Sequence, residues 1–205
     1  MDAYRNIELT ATANNWRLFV LRKADPAFLR FQEKIHARDH FTCQFCKFQA
    51  KHCLETINLN GNYLQNKRDN LITICGLCAQ CFFLEAVGKS DFGGGVLIYL
   101  PEMKQTELNA LCHVLFSAQI YHLQNAMHAA NIYRGLKLRA QIIEEQIGEG
   151  MSNPALFGQM LIDANVETAP AFQNVISQSI RLLPNISRFM SEVIQWAESG
   201  LQAFA

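Results

Sequence analysis

Outside one short window this chain has almost no cysteine. Six of its seven cysteines fall between positions 43 and 81, and only Cys112 lies elsewhere. It also lacks any run of about 18 apolar residues, which argues against a membrane-spanning helix. The first fifteen residues, MDAYRNIELTATANN, are polar and hold no apolar core of the kind a secretory leader carries, so no leader is expected. Glycine and proline are sparse, 11 and 5 in 205 residues, which excludes a low-complexity or loop-dominated chain. Strong net charge is missing too. The 18 basic and 18 acidic residues cancel, although residues 1–70 carry 11 Lys and Arg against 7 Asp and Glu. That excess of four is far from the footprint of a dedicated nucleic-acid binder. What remains, with half of the residues hydrophobic, is ample material for a core.

The cysteines are where the sequence is specific. In the reducing compartment expected here, CxxC pairs read as metal ligands rather than disulfides. Cys43 and Cys46 form one pair, Cys75 and Cys78 another. Two intervening residues allow a tight turn to aim both sulfurs at one point. Two such turns complete a tetrahedron of four thiolates, which satisfies Zn²⁺ and leaves no position open for water or substrate. One structural Zn²⁺ per chain is therefore expected. Unrelated buried cysteine pairs and an iron–sulfur centre are the other readings of this spacing. Cys81 makes Cys78/Cys81 a rival second pair, but Cys75 and Cys78 at the start of a helix converge better. Cys53, Cys81 and Cys112 are expected to be small buried hydrophobes.

Around this window the pattern predicts an α+β, predominantly helical fold: a small zinc-binding module with flanking strands over 1–100, then a helical region over 101–205 packed on it. Trp16–Leu21 reads as strand-like. A helix follows Asp25-Pro26, with Phe28, Phe31, Ile35 and His36 on one face. A strand over LETINLNG, a turn at Asn60-Gly61, and a short helix from the second CxxC to Gly88 come next. Val96–Leu100 reads as a strand; the three glycines before it lack the GK[ST] ending and following helix of a phosphate loop. Thr106 is positioned to cap the next helix, and another runs from Ala126 to the break at 148–150. Asn153-Pro154 and Ala169-Pro170 open further helices, and Pro184 precedes the last. His113, His122 and His128 lack the i, i+3 or i+4 spacing of metal ligands and are expected in the core or an interface. Glu144, Glu145 and Glu149 read as a solvated face. Phe82-Phe83 and the other aromatics either join the module to the helical region or line a peptide groove. A partner segment is then expected to dock as a helix in that groove or as a strand added along GVLIYL.

The segment 26–88 resembles the ββα-metal, or HNH, module of nucleases, carried by FTCQFCKF, RDNLITICGLC and the flanking helices, with Asn70 on that family's middle asparagine. The resemblance implies a catalytic histidine pair on the strand, yet Thr56, Ile57 and Asn58 stand there, and Ala79 replaces the histidine expected after the second CxxC. His52 precedes the expected position by several residues. Hydrolysis on that module needs one side chain to activate water and another to hold a divalent cation on the phosphate. The module is thus expected to have kept its zinc and lost its chemistry. An active HNH endonuclease and a nucleic-acid-binding zinc module are the alternatives. Over its whole length the chain resembles the IcmJ (DotN) family of the Dot/Icm type IVB secretion system, through HFTCQFCKFQ, DNLITICGLCAQC and DFGGGVLIYLPEM. That resemblance implies a non-enzymatic adaptor of the coupling complex. It would be cytoplasmic and peripheral to the bacterial inner membrane, docked on a C-terminal segment of the coupling ATPase DotL, and would support effector recruitment. It implies no nucleic-acid partner and no membrane insertion of its own.

Overall fold

In the computed structural model, which describes residues 6–164 and 178–203 (side chains through 196), helices alternate with two small antiparallel sheets. The first element is a helix, α1 (Asn15–Leu21), where the sequence reads as a strand. Burial explains the difference. Phe19 is fully buried while Val20 and Leu21 are exposed, so the apolar contacts recur at Trp16 and Phe19, a helical spacing rather than an alternation. Helix α2 (Pro26–Arg38) starts as expected. The Asp25 carboxylate accepts from the Ala27 N–H at 2.8 Å, Pro26 occupies the first turn, and Phe28, Ile35 and His36 are buried on one face.

Strands β1 (Leu54–Asn58) and β2 (Leu71–Cys75) pair from Leu54 opposite Cys75 to Asn58 opposite Leu71. Asn70 holds the loop between them: its amide donates to Asn60 Oδ1 at 2.9 Å and to the Gln65 carbonyl, and its Oδ1 accepts from the Asn60 N–H. β2 runs into a single turn of helix, α3 (Gly76–Ala79), and then into two 3₁₀ turns, 80–82 and 84–86. The expected continuous helix to Gly88 is therefore broken. The break drives Phe83 into a cluster with Trp16, Phe19, Tyr63 and Phe92. Phe82 packs on Phe45, ring centroids 5.4 Å apart. These ring partners all lie within residues 1–100, so the contacts pack the module internally, which is neither of the two roles expected for Phe82-Phe83.

β3 (Gly95–Tyr99) matches the expected strand, but its partner is a surprise. β4 (Ile180–Pro184) lies antiparallel to it, Gly95 opposite Pro184 and Tyr99 opposite Ile180, where the sequence reads as helix. The part of the expected fourth helix over 165–177 lies outside the described residues. β3's other edge is also occupied, because the Leu97 N–H donates to the Ser152 carbonyl at 2.8 Å and the Tyr99 N–H to Arg139. Strand addition along GVLIYL is accordingly closed.

The remaining helices are α4 (Gln105–Ile120), α5 (Ala126–Leu138), α6 (Ala140–Gln146), α7 (Pro154–Asp163) and α8 (Met190–Ala203). Lys104, not Thr106, precedes α4, and its N–H is held by the Glu107 carboxylate at 2.8 Å. The expected helix from Ala126 divides at Arg139, whose carbonyl is committed to the β3 edge. Asn153 caps α7 through Ala155 and Leu156. Glu144 is not a solvated bystander: its carboxylate accepts from the Gly150 and Ser152 N–H groups and closes that turn. Residues of both sheets and of α4, α6, α7 and α8 contribute to one continuous apolar core.

Candidate metal centre

The first CxxC sits on a knuckle. Thr42 and Gln49 form an isolated antiparallel bridge, the Cys43 N–H donates to the Phe48 carbonyl at 2.8 Å, and Lys47 returns to Cys43 at 3.0 Å. Lys47 is left-handed, φ 63°, which turns the chain back immediately after Cys46. Two bonds to Thr73 fix the knuckle and the end of α2 to β2. Gln44 N–H donates to its carbonyl at 3.0 Å, and Thr73 N–H donates to Asp39 Oδ2 at 2.8 Å. β2 then delivers Cys75 to the start of α3, with Cys78 one turn in.

The Sγ atoms of Cys43, Cys46, Cys75 and Cys78 all lie within 4.8 Å of one another, and all four residues are buried. Cys46 and Cys75 approach to 3.6 Å, well beyond an S–S bond of about 2 Å, and every cysteine is a free thiol. Burial pushes the Cys75 and Cys78 thiols well above their usual range, and neighbouring sulfurs add to the rise. At Cys43 burial acts the same way but is outweighed by donation from Cys46, Cys75 and Cys78, which holds it well below that range. A bound cation favours the thiolate form of each of its ligands. A tetrahedron with metal–sulfur bonds of about 2.3 Å has edges near 3.8 Å, close to the Cys46–Cys75 separation of 3.6 Å. The four cysteines can hold a metal ion.

The other cysteines stay outside the cluster. Cys81 is fully buried with its sulfur toward the Leu77 carbonyl, Cys112 is core, and half-buried Cys53 faces Gln195 Oε1 at 3.0 Å. Two residues that the sequence did not single out as cluster neighbours touch it. Asn109 Nδ2 lies 3.2 Å from Cys78 Sγ, and His113 Nε2 lies 3.3 Å from Cys75 Sγ. Burial lowers the His113 imidazole to about 4, and its ring stacks on Phe48 with centroids 3.7 Å apart. Their i, i+4 spacing puts both on one face of α4. His122 and His128, expected in the core or an interface, are exposed and so lie outside the core.

On β1, the side chains at the nuclease-like positions are engaged elsewhere. Thr56 Oγ1 meets His36 Nε2 at 3.1 Å. Buried Arg22 donates to Asn58 Oδ1 at 2.5 Å, to Asn66 Oδ1 and to the Thr56 carbonyl, among the rings of Phe19, Phe28 and Tyr63. The guanidinium stays charged at neutral pH even though burial lowers it to about 10. The His52 carbonyl accepts from Trp196 Nε1 at 3.2 Å.

No helix among the described residues is long and apolar enough to cross a membrane. No protein-family model matches the chain. It is 47% identical over 199 residues to the type 4 apparatus protein DotN of Legionella pneumophila, an alignment covering 97% of this chain and 92% of that protein. With nearly half of its residues identical along almost its whole length, the chain belongs to the DotN (IcmJ) family of type IV secretion apparatus proteins.

Proposed function

We propose that this chain is a zinc-stabilised, non-enzymatic adaptor of a type IVB coupling complex. It binds a C-terminal segment of the coupling ATPase DotL and supports effector recruitment at the cytoplasmic face of the inner membrane. The single observation carrying this reading is the near full-length identity to DotN. The closed four-cysteine set adds the zinc: soft thiolates in a tetrahedral cage favour it over harder cations. The order of knuckle, hairpin and short helix supports an HNH-like scaffold for residues 26–88. Arg22 supports the loss of nuclease chemistry, because a guanidinium bonded to Asn58 and the Thr56 carbonyl repels the divalent cation that hydrolysis requires.

The deciding experiment is capture of purified, metal-loaded protein by the C-terminal region of DotL. Stable co-elution is expected, and failure to associate at micromolar concentrations would sink the adaptor reading. Plasmid incubated with excess protein and Mg²⁺, Mn²⁺ or Ni²⁺ should remain intact; nicking that co-purifies with the protein would overturn the non-enzymatic part.

A further inference from the structure

Four thiolates around a divalent ion carry a net charge of −2, and this cluster is buried. A buried dianion needs donors directed at its sulfurs, or it pays a large desolvation cost. Among the described residues, the two side-chain amide or ring N–H groups that reach those sulfurs come from one helix, α4, a turn apart, and touch different ligands. Asn109 is 0% exposed and its orientation is fixed from behind. Gln105 Nε2 donates to Asn109 Oδ1 at 2.9 Å, so the Asn109 amide must present N–H to Cys78. Gln105 is itself locked to β4, donating to the Leu182 carbonyl and accepting from the Leu182 N–H, both at 2.8 Å. His113 Nδ1 is buried and has no hydrogen-bond partner among the described residues, which leaves Nε2–H as the donor toward Cys75.

We propose that α4 is the outer coordination shell of the metal centre: Asn109 and His113 donate to Cys78 and Cys75, and Gln105 positions Asn109 from β4. The proposal rests on the zinc reading above. It makes the seating of α4 and β4 and the retention of the metal one equilibrium, since a chain of hydrogen bonds runs from the Leu182 backbone to a ligand sulfur.

The test uses the full chain stripped of metal and titrated with Co²⁺, then with Zn²⁺ against a chromophoric chelator. The substitutions are Asn109→Asp, which is isosteric and turns the donor into an acceptor, and His113→Phe, which keeps the ring between Phe48 and Trp196. Each is expected to lower metal affinity about 10- to 100-fold. Each should also move the sulfur-to-cobalt charge-transfer band to lower energy, because an undonated thiolate gives up its electron more readily. Gln105→Glu should produce a smaller shift in the same direction. Cys112→Ala, a buried α4 change away from the ligand sulfurs, controls for loosened packing and should leave the band in place. Unchanged band and affinity in both donor variants, or an equal shift in Cys112→Ala, overturns the outer-shell role. Failure of the unaltered chain to bind either metal overturns the zinc reading instead.

Discussion

Glu85 is the residue whose chemistry fits its surroundings least. Both carboxylate oxygens are buried and neither has a hydrogen-bond partner in another described residue. Burial pushes the group up to about 7, against a weaker pull from its own backbone N–H and from Lys89. The folded pKa lies above the unfolded one, so the folded chain keeps a proton that the unfolded chain releases between about pH 4.5 and 7. This contribution is fully present below that window and is lost as pH rises through it. Glu85→Gln is therefore expected to raise the melting temperature at about pH 8 and to change it little at about pH 4.5, as read by calorimetry. The cysteines give the opposite kind of residue-scale prediction. Cys43→Ser or Cys75→Ser should abolish the expected one zinc per chain by elemental analysis and reduce the yield of folded protein, because metal binding at such a site is folding free energy.

At the scale of elements, close approach rather than propensity decides where helices sit. Helix α7 packs on the 84–86 turn through Gly158, where an added Cβ would fall 2.4 Å from the Glu85 nitrogen and 2.7 Å from the Leu84 carbonyl carbon. Backbone cannot yield there as a flexible side chain would. Gly158→Ala is expected to destabilise the protein by about 1–3 kcal/mol through overpacking, outweighing the helix propensity that alanine adds. A lowered urea midpoint with an unchanged slope would be the signature, and a stabilised variant would show that the turn can shift. The same logic explains α1. Its Trp-Arg-Leu-Phe-Val-Leu run has strand-like residues, but one aromatic face packed against Phe83 and Phe92 requires helical spacing.

The whole molecule joins early and late sequence. β3 takes β4 as its partner, and the cysteine cluster takes two contacts from α4. α8 closes the same region, since Trp196 packs on Phe48 and His113 and its indole N–H donates to the His52 carbonyl. Calorimetry of the metal-loaded chain is expected to show one cooperative transition. Residues 1–104 expressed alone should show neither a sharp transition nor wild-type metal affinity, because they lack β4, Asn109 and His113. Two separate transitions in the full chain would refute this coupling.

The sequence by itself determined what depends on spacing and local chemistry. Two CxxC pairs place four sulfurs at the ends of two tight turns, and Asp25-Pro26 and Asn153-Pro154 start helices through their own side chains and fixed φ. These are short-range constraints, readable without knowing what packs on what. Only the tertiary structure decided the rest. IRLLP is mostly apolar and suits either conformation, and it becomes a strand because β3 presents an edge to pair with. Arg22 gains its role only where Asn58, Asn66 and three rings enclose it. Asn109 and His113 acquire meaning only when α4 lies against Cys75 and Cys78. Each of these depends on at least one partner more than 30 residues away in sequence, and that distance is the physical reason no local pattern announced them.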